Sequence, residues 1–202
     1  MLEEKIVYFD EPGKINTEET LKLAIDRAKA RGINKMLLAS TRGDTARLAM
    51  ERVAGTGIKM VVVPHQYGVG EKQPFPPELI PLLEQQGHCV HFGTMLFHTD
   101  KLYDMQAPRA MATLLRTFSQ GMKVCVEITL MAVDGGRVAS GEKIVVVAGT
   151  GRGADTAVVL TAASSWELTN LHIQEIICKP LQTPQRSLTA PPPAPRTPQQ
   201  TT

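Results

Sequence analysis

Between Ser40 and Thr45 the chain carries three hydroxyls, a guanidinium and a glycine: Ser40-Thr41-Arg42-Gly43-Asp44-Thr45. That set suits an anion. The apolar run Met36-Leu37-Leu38-Ala39 leads into it and a helical pattern leaves it, so it reads as a strand-to-helix turn. A helix start leaves backbone N–H groups unpaired at the positive end of the dipole, and both favour a negatively charged group. Gly43 lets backbone approach a ligand, and Ser40, Thr41 and Thr45 add donors. The same turn also works as a plain cap, with Thr41 or Asp44 serving its own helix.

A second candidate is Gly149-Thr150-Gly151-Arg152-Gly153-Ala154-Asp155-Thr156. It follows a strand, as a dinucleotide-binding turn does. Its spacing is Gly-x-Gly-x-Gly, however, and Ala157-Val158-Val159-Leu160 continues as strand rather than helix, so that reading is rejected. Three glycines beside Thr150, Arg152 and Thr156 still suit an anion-binding nest. The alternative is a hairpin loop in which Arg152 pairs locally with Asp155.

Two residues are candidates for proton chemistry. His65 follows an apolar strand and titrates near neutral pH. Glu127 lies inside an apolar helix, where burial tunes a carboxylate; the alternative is a structural pair with Lys123, one turn earlier. His88 and His91 are an odd number of residues apart on a strand, so they point to opposite faces and do not chelate one metal. His98 and His172 have no evident partner. Trp166 either stacks on a flat ligand or covers the core. No Gly-x-Ser-x-Gly elbow, Walker A lysine, His-Glu-x-x-His helix or metal cluster is present in the sequence. No Ser/His/Asp set can be assembled.

The elements that hold these residues follow from periodicity. Asn16 caps a helix with acids in its first turn, and Leu21, Ala24, Ile25 and Ala28 repeat at helical spacing until Gly32. A strand over 35–39, a helix over 45–53, a strand over 58–63, a helix over 77–86 and a strand over 88–92 follow. Met111, Leu114, Leu115 and Phe118 mark an amphipathic helix over 108–119. Residues 122–133 are apolar nearly all round and read as a buried helix. Strands follow over 143–148, 156–160 and 171–178. The early βαβαβ alternation predicts a mostly parallel sheet with helices on both faces, and the late strand–turn–strand run adds an antiparallel hairpin.

Composition narrows the function classes. Of 202 residues, 43% are hydrophobic and 21% charged, as in a globular domain. Residues 1–179 read as that domain. Residues 180–202 hold seven of the fourteen prolines and no acid, and read as a disordered Pro/Thr-rich tail. The net charge of +2 comes entirely from Arg186 and Arg196 in that tail, so the body is neutral. A neutral body argues against nucleic acid or a membrane surface as partner. Cys89, Cys125 and Cys178 are far apart among apolar neighbours and read as reduced thiols. Met1–Phe9 does not read as a signal peptide, so the expected location is cytoplasmic.

Four motifs carry a family resemblance: Tyr8-Phe9-x-x-Pro12-Gly13-x-x-Asn16-Thr17, Ala39 to Ala46, Gly121-Met122-Lys123-Val124-Cys125-Val126-Glu127, and Gly149 to Ala157. In that order they resemble the stand-alone pyruvate kinase alpha/beta domain-like proteins, which are similar to the C-terminal domain of pyruvate kinase alone. The resemblance spans about Val7 to Lys179. It implies a three-layer α/β/α fold with a mixed five-stranded sheet whose last strand is antiparallel. It implies a ligand-binding domain without kinase activity, because the chain lacks the barrel that carries the kinase site. It also implies flavin mononucleotide (FMN) or a phosphorylated metabolite as ligand. The ligand would be held by Ser40, Thr41, Arg42, Gly43, Thr45, Gly149, Thr150, Gly151, Arg152, Gly153, Asp155 and Thr156, with no metal. The family tends to show Gly-Thr-His where this chain has Gly93-Thr94-Met95, which alters the site if that histidine touches ligand. Two other functions fit the same residues. One is a flavin-dependent oxidoreductase using His65 or Glu127; the other is an interaction protein, a homo-oligomer among the options.

Overall fold

Runs of Val, Ile, Leu and Met without polar alternation need cover on both faces of a sheet. The computed structural model, which describes residues 1–99 and 105–183, supplies that cover. Its strands are β1 (Val7–Phe9), β2 (Lys35–Ala39), β3 (Lys59–Val63), β4 (Cys89–Val90), β5 (Lys143–Ala148), β6 (Thr156–Thr161) and β7 (His172–Pro180). Its helices are α1 (Thr17–Ala30), α2 (Asp44–Val53), α3 (Leu79–Gln85), α4 (Ala107–Arg116) and α5 (Gln120–Asp134).

The strands form one seven-stranded sheet in the order β1-β7-β6-β5-β2-β3-β4. Pairing is parallel except where β6 runs against β5 and β7. Successive side chains alternate between two cores, as the pleat requires. Met36, Leu38, Met60, Val62, Val145 and Val147 pack with α1, α2 and α3. Leu37, Val61, Val63, Ile144, Val146 and Val158 pack with Met122, Cys125, Ile128 and Met131 of α5. α4 lies outside α5, where Ala112 meets Val126 and Leu130.

The chain leaves β2 for β3 and β4, then returns to β5 on the other side of β2. The order therefore reverses between β2 and β5, where Leu37 pairs with Val146. In open α/β sheets the crevice beyond the carboxyl ends of strands at such a reversal is the usual ligand position.

Several expectations are corrected. The sheet has seven strands rather than five, and its antiparallel member is the interior β6, not the last strand. The strand expected over 88–92 is two residues long. β1, which periodicity did not reveal, pairs Tyr8 with Lys179 and Phe9 with Pro180. Pro180 is thus the last strand residue, tolerated because β6 pairs with β7 no further than Cys178, and the N–H that donates to the Phe9 carbonyl of β1 is that of Leu181. The rest of the expected tail, from 184 on, lies outside the described residues. Asn16 does not cap α1 through its side chain; its amide donates instead to the Glu11 carbonyl at 2.7 Å. Trp166 is 94% exposed and covers no core.

Candidate functional site

The turn after β2 is shaped by Gly43, which precedes α2 with a φ of 83° in the left-handed region. A Cβ there would lie 2.8 Å from Leu79 Cδ2, so the bare backbone is also a packing requirement. Ser40, rather than Thr41 or Asp44, serves the helix: its Oγ accepts the Ala46 N–H at 3.2 Å. The Ser40 hydroxyl keeps its own proton to donate. Ser40 and Thr45 are buried, Thr41 is half-buried, and Arg42 is exposed.

The loop between β5 and β6 is a hairpin connection, as the β-type residues after it foretold. Asp155 is fully buried and does not pair with Arg152. Its Oδ2 accepts the N–H groups of Gly13 at 2.8 Å and Thr150 at 3.1 Å, and its Oδ1 accepts the Thr156 hydroxyl at 2.9 Å. Thr156 in turn bonds Ser119 Oγ at 3.1 Å. Gly153 takes a φ of 74°, and a Cβ there would lie 2.7 Å from Lys14 Cα. Part of the glycine richness is therefore self-packing, while Gly151 and Arg152 stand exposed at the loop tip.

Both turns open onto one cleft of about 920 Å³. Ser40, Thr41, Arg42, Thr45, Gly149, Gly151, Arg152 and Gly153 line it, together with His65 and Glu127. Gly43, Thr150, Asp155 and Thr156 are not on its wall; they hold the turns in shape. Thr150 Oγ1 is buried without a hydrogen-bond partner among the described residues. Met95, at the position of the expected family histidine, is on the wall, and its N–H donates to Gln66 Oε1 at 2.6 Å.

One side of the cleft is a stripe of α5: Gln120, Lys123, Val124, Glu127, Ile128 and Met131. These recur at helical spacing, so one face of the helix meets the cleft. Lys123 and Glu127 are 1% and 2% exposed and form an ion pair four residues apart. Glu127 Oε1 also accepts the Phe97 N–H at 2.9 Å and faces His98 Nδ1 at 3.1 Å. The Phe97 ring centroid lies 5.6 Å from Lys123 Nζ. His98, which the sequence left without a partner, thus belongs to this cluster and lines the cleft. The sequence signal for the cluster was the pair of charges in an otherwise apolar helix.

Burial opposes the charge on Glu127, but the His98 hydrogen bond and the Lys123 ammonium outweigh it and hold the carboxyl below its ordinary value. Burial pulls the Lys123 ammonium below its ordinary value, although Glu127 resists. Burial also lowers His65, and the neighbouring His98 adds to the effect. A carboxylate with three donors is already committed, so a proton that Glu127 takes comes from one of those donors rather than from a free ligand. The cluster instead combines a desolvated amine, a fixed carboxylate and two imidazoles. Among the described residues no group of three or more His, Cys, Asp or Glu side chains is placed to hold a metal. No helix of the described residues is long and apolar enough to cross a membrane. No family model matches the chain.

Proposed function

We propose that the cleft binds a phosphate-bearing small molecule, either FMN or a phosphorylated metabolite, and that the chain is a ligand-binding domain without kinase activity. The observation that carries this reading is the meeting of two donor-rich turns, Ser40–Thr45 and Gly149–Gly153, on one cleft at the reversal of strand order. Hydroxyls from the turn before α2 and, from the other loop, Arg152 and glycine backbone line the same cleft. Neither Arg42 nor Arg152 makes an ion pair with a described residue, so both guanidiniums are available to an anion. The lining also includes Val63, Val69, Val124 and Ile128, apolar side chains suited to the flat part of a larger ligand. The resemblance to the pyruvate kinase alpha/beta domain-like proteins belongs to this same proposal.

The FMN fit rests on these residues alone. Ser40, Thr41, Thr45 and Arg152 would take the phosphate, and the apolar wall would take the ring system. When bound, the flavin would supply redox chemistry. That is the content of the second reading, a flavin-dependent oxidoreductase, which is favoured by the titratable cluster on the same wall.

The test is thermal unfolding with FMN, a sugar phosphate and inorganic phosphate, beside the absorbance spectrum of the purified protein. A ligand at a hundred times its dissociation constant adds ~2.7 kcal/mol to stability. A colourless protein whose melting temperature moves with none of the three overturns the reading.

A further inference from the structure

We propose that Lys123 is a Schiff-base-forming residue, and that the cleft takes a phosphate-bearing aldehyde or ketone whose carbonyl carbon this amine attacks. The inference deepens the phosphate-binding reading and rests on it for the phosphate contact only.

Lys123 is among the residues that line the cleft the two anion turns share, and it is 1% exposed. A lysine buried purely for structure would have its ammonium donors satisfied. Here Nζ has one hydrogen bond, to Glu127, and a ring contact with Phe97 among the described residues. The remaining hydrogen-bonding capacity belongs to a side chain that lines the cleft. Burial also favours the neutral amine, which is the nucleophilic form.

The cluster accounts for the protons of such a step. Glu127 Oε2 holds the Lys123 Nζ proton, so it can take that proton as the amine attacks the carbonyl carbon. The C–N bond forms as the carbonyl π bond breaks, leaving a carbinolamine. Loss of its hydroxyl as water, protonated through the Glu127–His98 contact, gives the imine. One water leaves with the former carbonyl oxygen, and no oxidant or reductant is consumed. His98 has a half-exposed side chain, so it can exchange protons with solvent while Glu127 cannot. This gives the His98–Glu127 contact at 3.1 Å a use beyond packing.

The experiment uses the full chain with two probes, pyridoxal 5′-phosphate and pyridoxal, each followed by borohydride reduction and peptide mapping. The expected result is one reduced adduct on Lys123, formed faster with the phosphorylated probe and lost in Lys123→Arg, which keeps the charge but forms no imine. An adduct on Lys123 with equal rates for both probes keeps the nucleophile and sinks the phosphate reading. A melting temperature raised by pyridoxal 5′-phosphate, with label only on exposed residues such as Lys5, Lys22 or Lys29, overturns this proposal and leaves the phosphate reading standing. Because the mapping is done on the unaltered protein, its outcome does not depend on a variant that folds.

Discussion

The Asp155 carboxylate accepts the Gly13 N–H at 2.8 Å across 142 positions of sequence. The same oxygen holds Thr150, so one buried charge ties the loop after β5 to the segment before α1. Asp155→Ala leaves three donors without their acceptor in a buried site. A loss of about 2–4 kcal/mol is expected, read from urea unfolding. Ligand affinity should fall as well, because the loop that carries Arg152 loses its anchor.

Arg152 itself is exposed and makes no ion pair with a described residue. Arg152→Ala should weaken FMN or phosphate binding and leave the urea midpoint unchanged. Titration calorimetry at low and high salt gives the comparison. A surface charge acting on an anion loses its effect as salt screens it.

Gly153 marks the other limit of that loop. Gly153→Ala forces a side chain into a left-handed backbone and against Lys14, whose Cα would be 2.7 Å from the new Cβ. The backbone term alone is about 1–2 kcal/mol. The steric term adds to it, since main chain, not a flexible side chain, must move. Thermal unfolding should show a loss larger than for Gly151→Ala, where nothing lies within 4 Å.

Lys123→Met strands the Glu127 carboxylate in a buried site. The expected loss is about 3–5 kcal/mol, and pairing it with Glu127→Gln should recover much of it, because the uncompensated charge is then gone. A double-mutant cycle by urea unfolding measures the coupling.

Acid should act in two stages. Burial holds His65, His88 and His91 below their ordinary value of 6.5, so the unfolded chain binds more protons than the folded one just below that pH. Stability is therefore whole above 6.5 and is lost as pH falls through the folded values. His88 has a direct reason to resist protonation: its Nδ1 accepts the Met60 N–H at 3.2 Å. The Glu127 carboxyl, held below 4.5, adds a second loss at lower pH. Melting temperature followed down the pH scale should show the first decline, and His88→Asn should make it shallower.

What the sequence disclosed depended on how local each cause was. The Lys143–Leu160 hairpin was legible because β-branched runs flank a glycine loop. The buried α5 was legible from its length and from Met and Leu on every side. The Ser40 turn was legible as a helix start. β1 was not, because three residues carry no period and the strand exists only through pairing with Cys178, Lys179 and Pro180. Asn16 was misread because a local cap competed with the Glu11 carbonyl. His98 had no partner in sequence because Glu127 is 29 positions away and reaches it only after α5 packs on the sheet.

The position of β5 sets a timetable for synthesis. β2, β3 and β4 leave the ribosome early and can pair with one another, yet the other edge of β2 has no neighbour until β5 arrives more than a hundred residues later. The cleft needs residues from Ala39 to Gly153, so no ligand can grip the nascent chain during that interval. The first half of the protein must wait as an open, apolar sheet edge, the kind of surface that invites aggregation and chaperones.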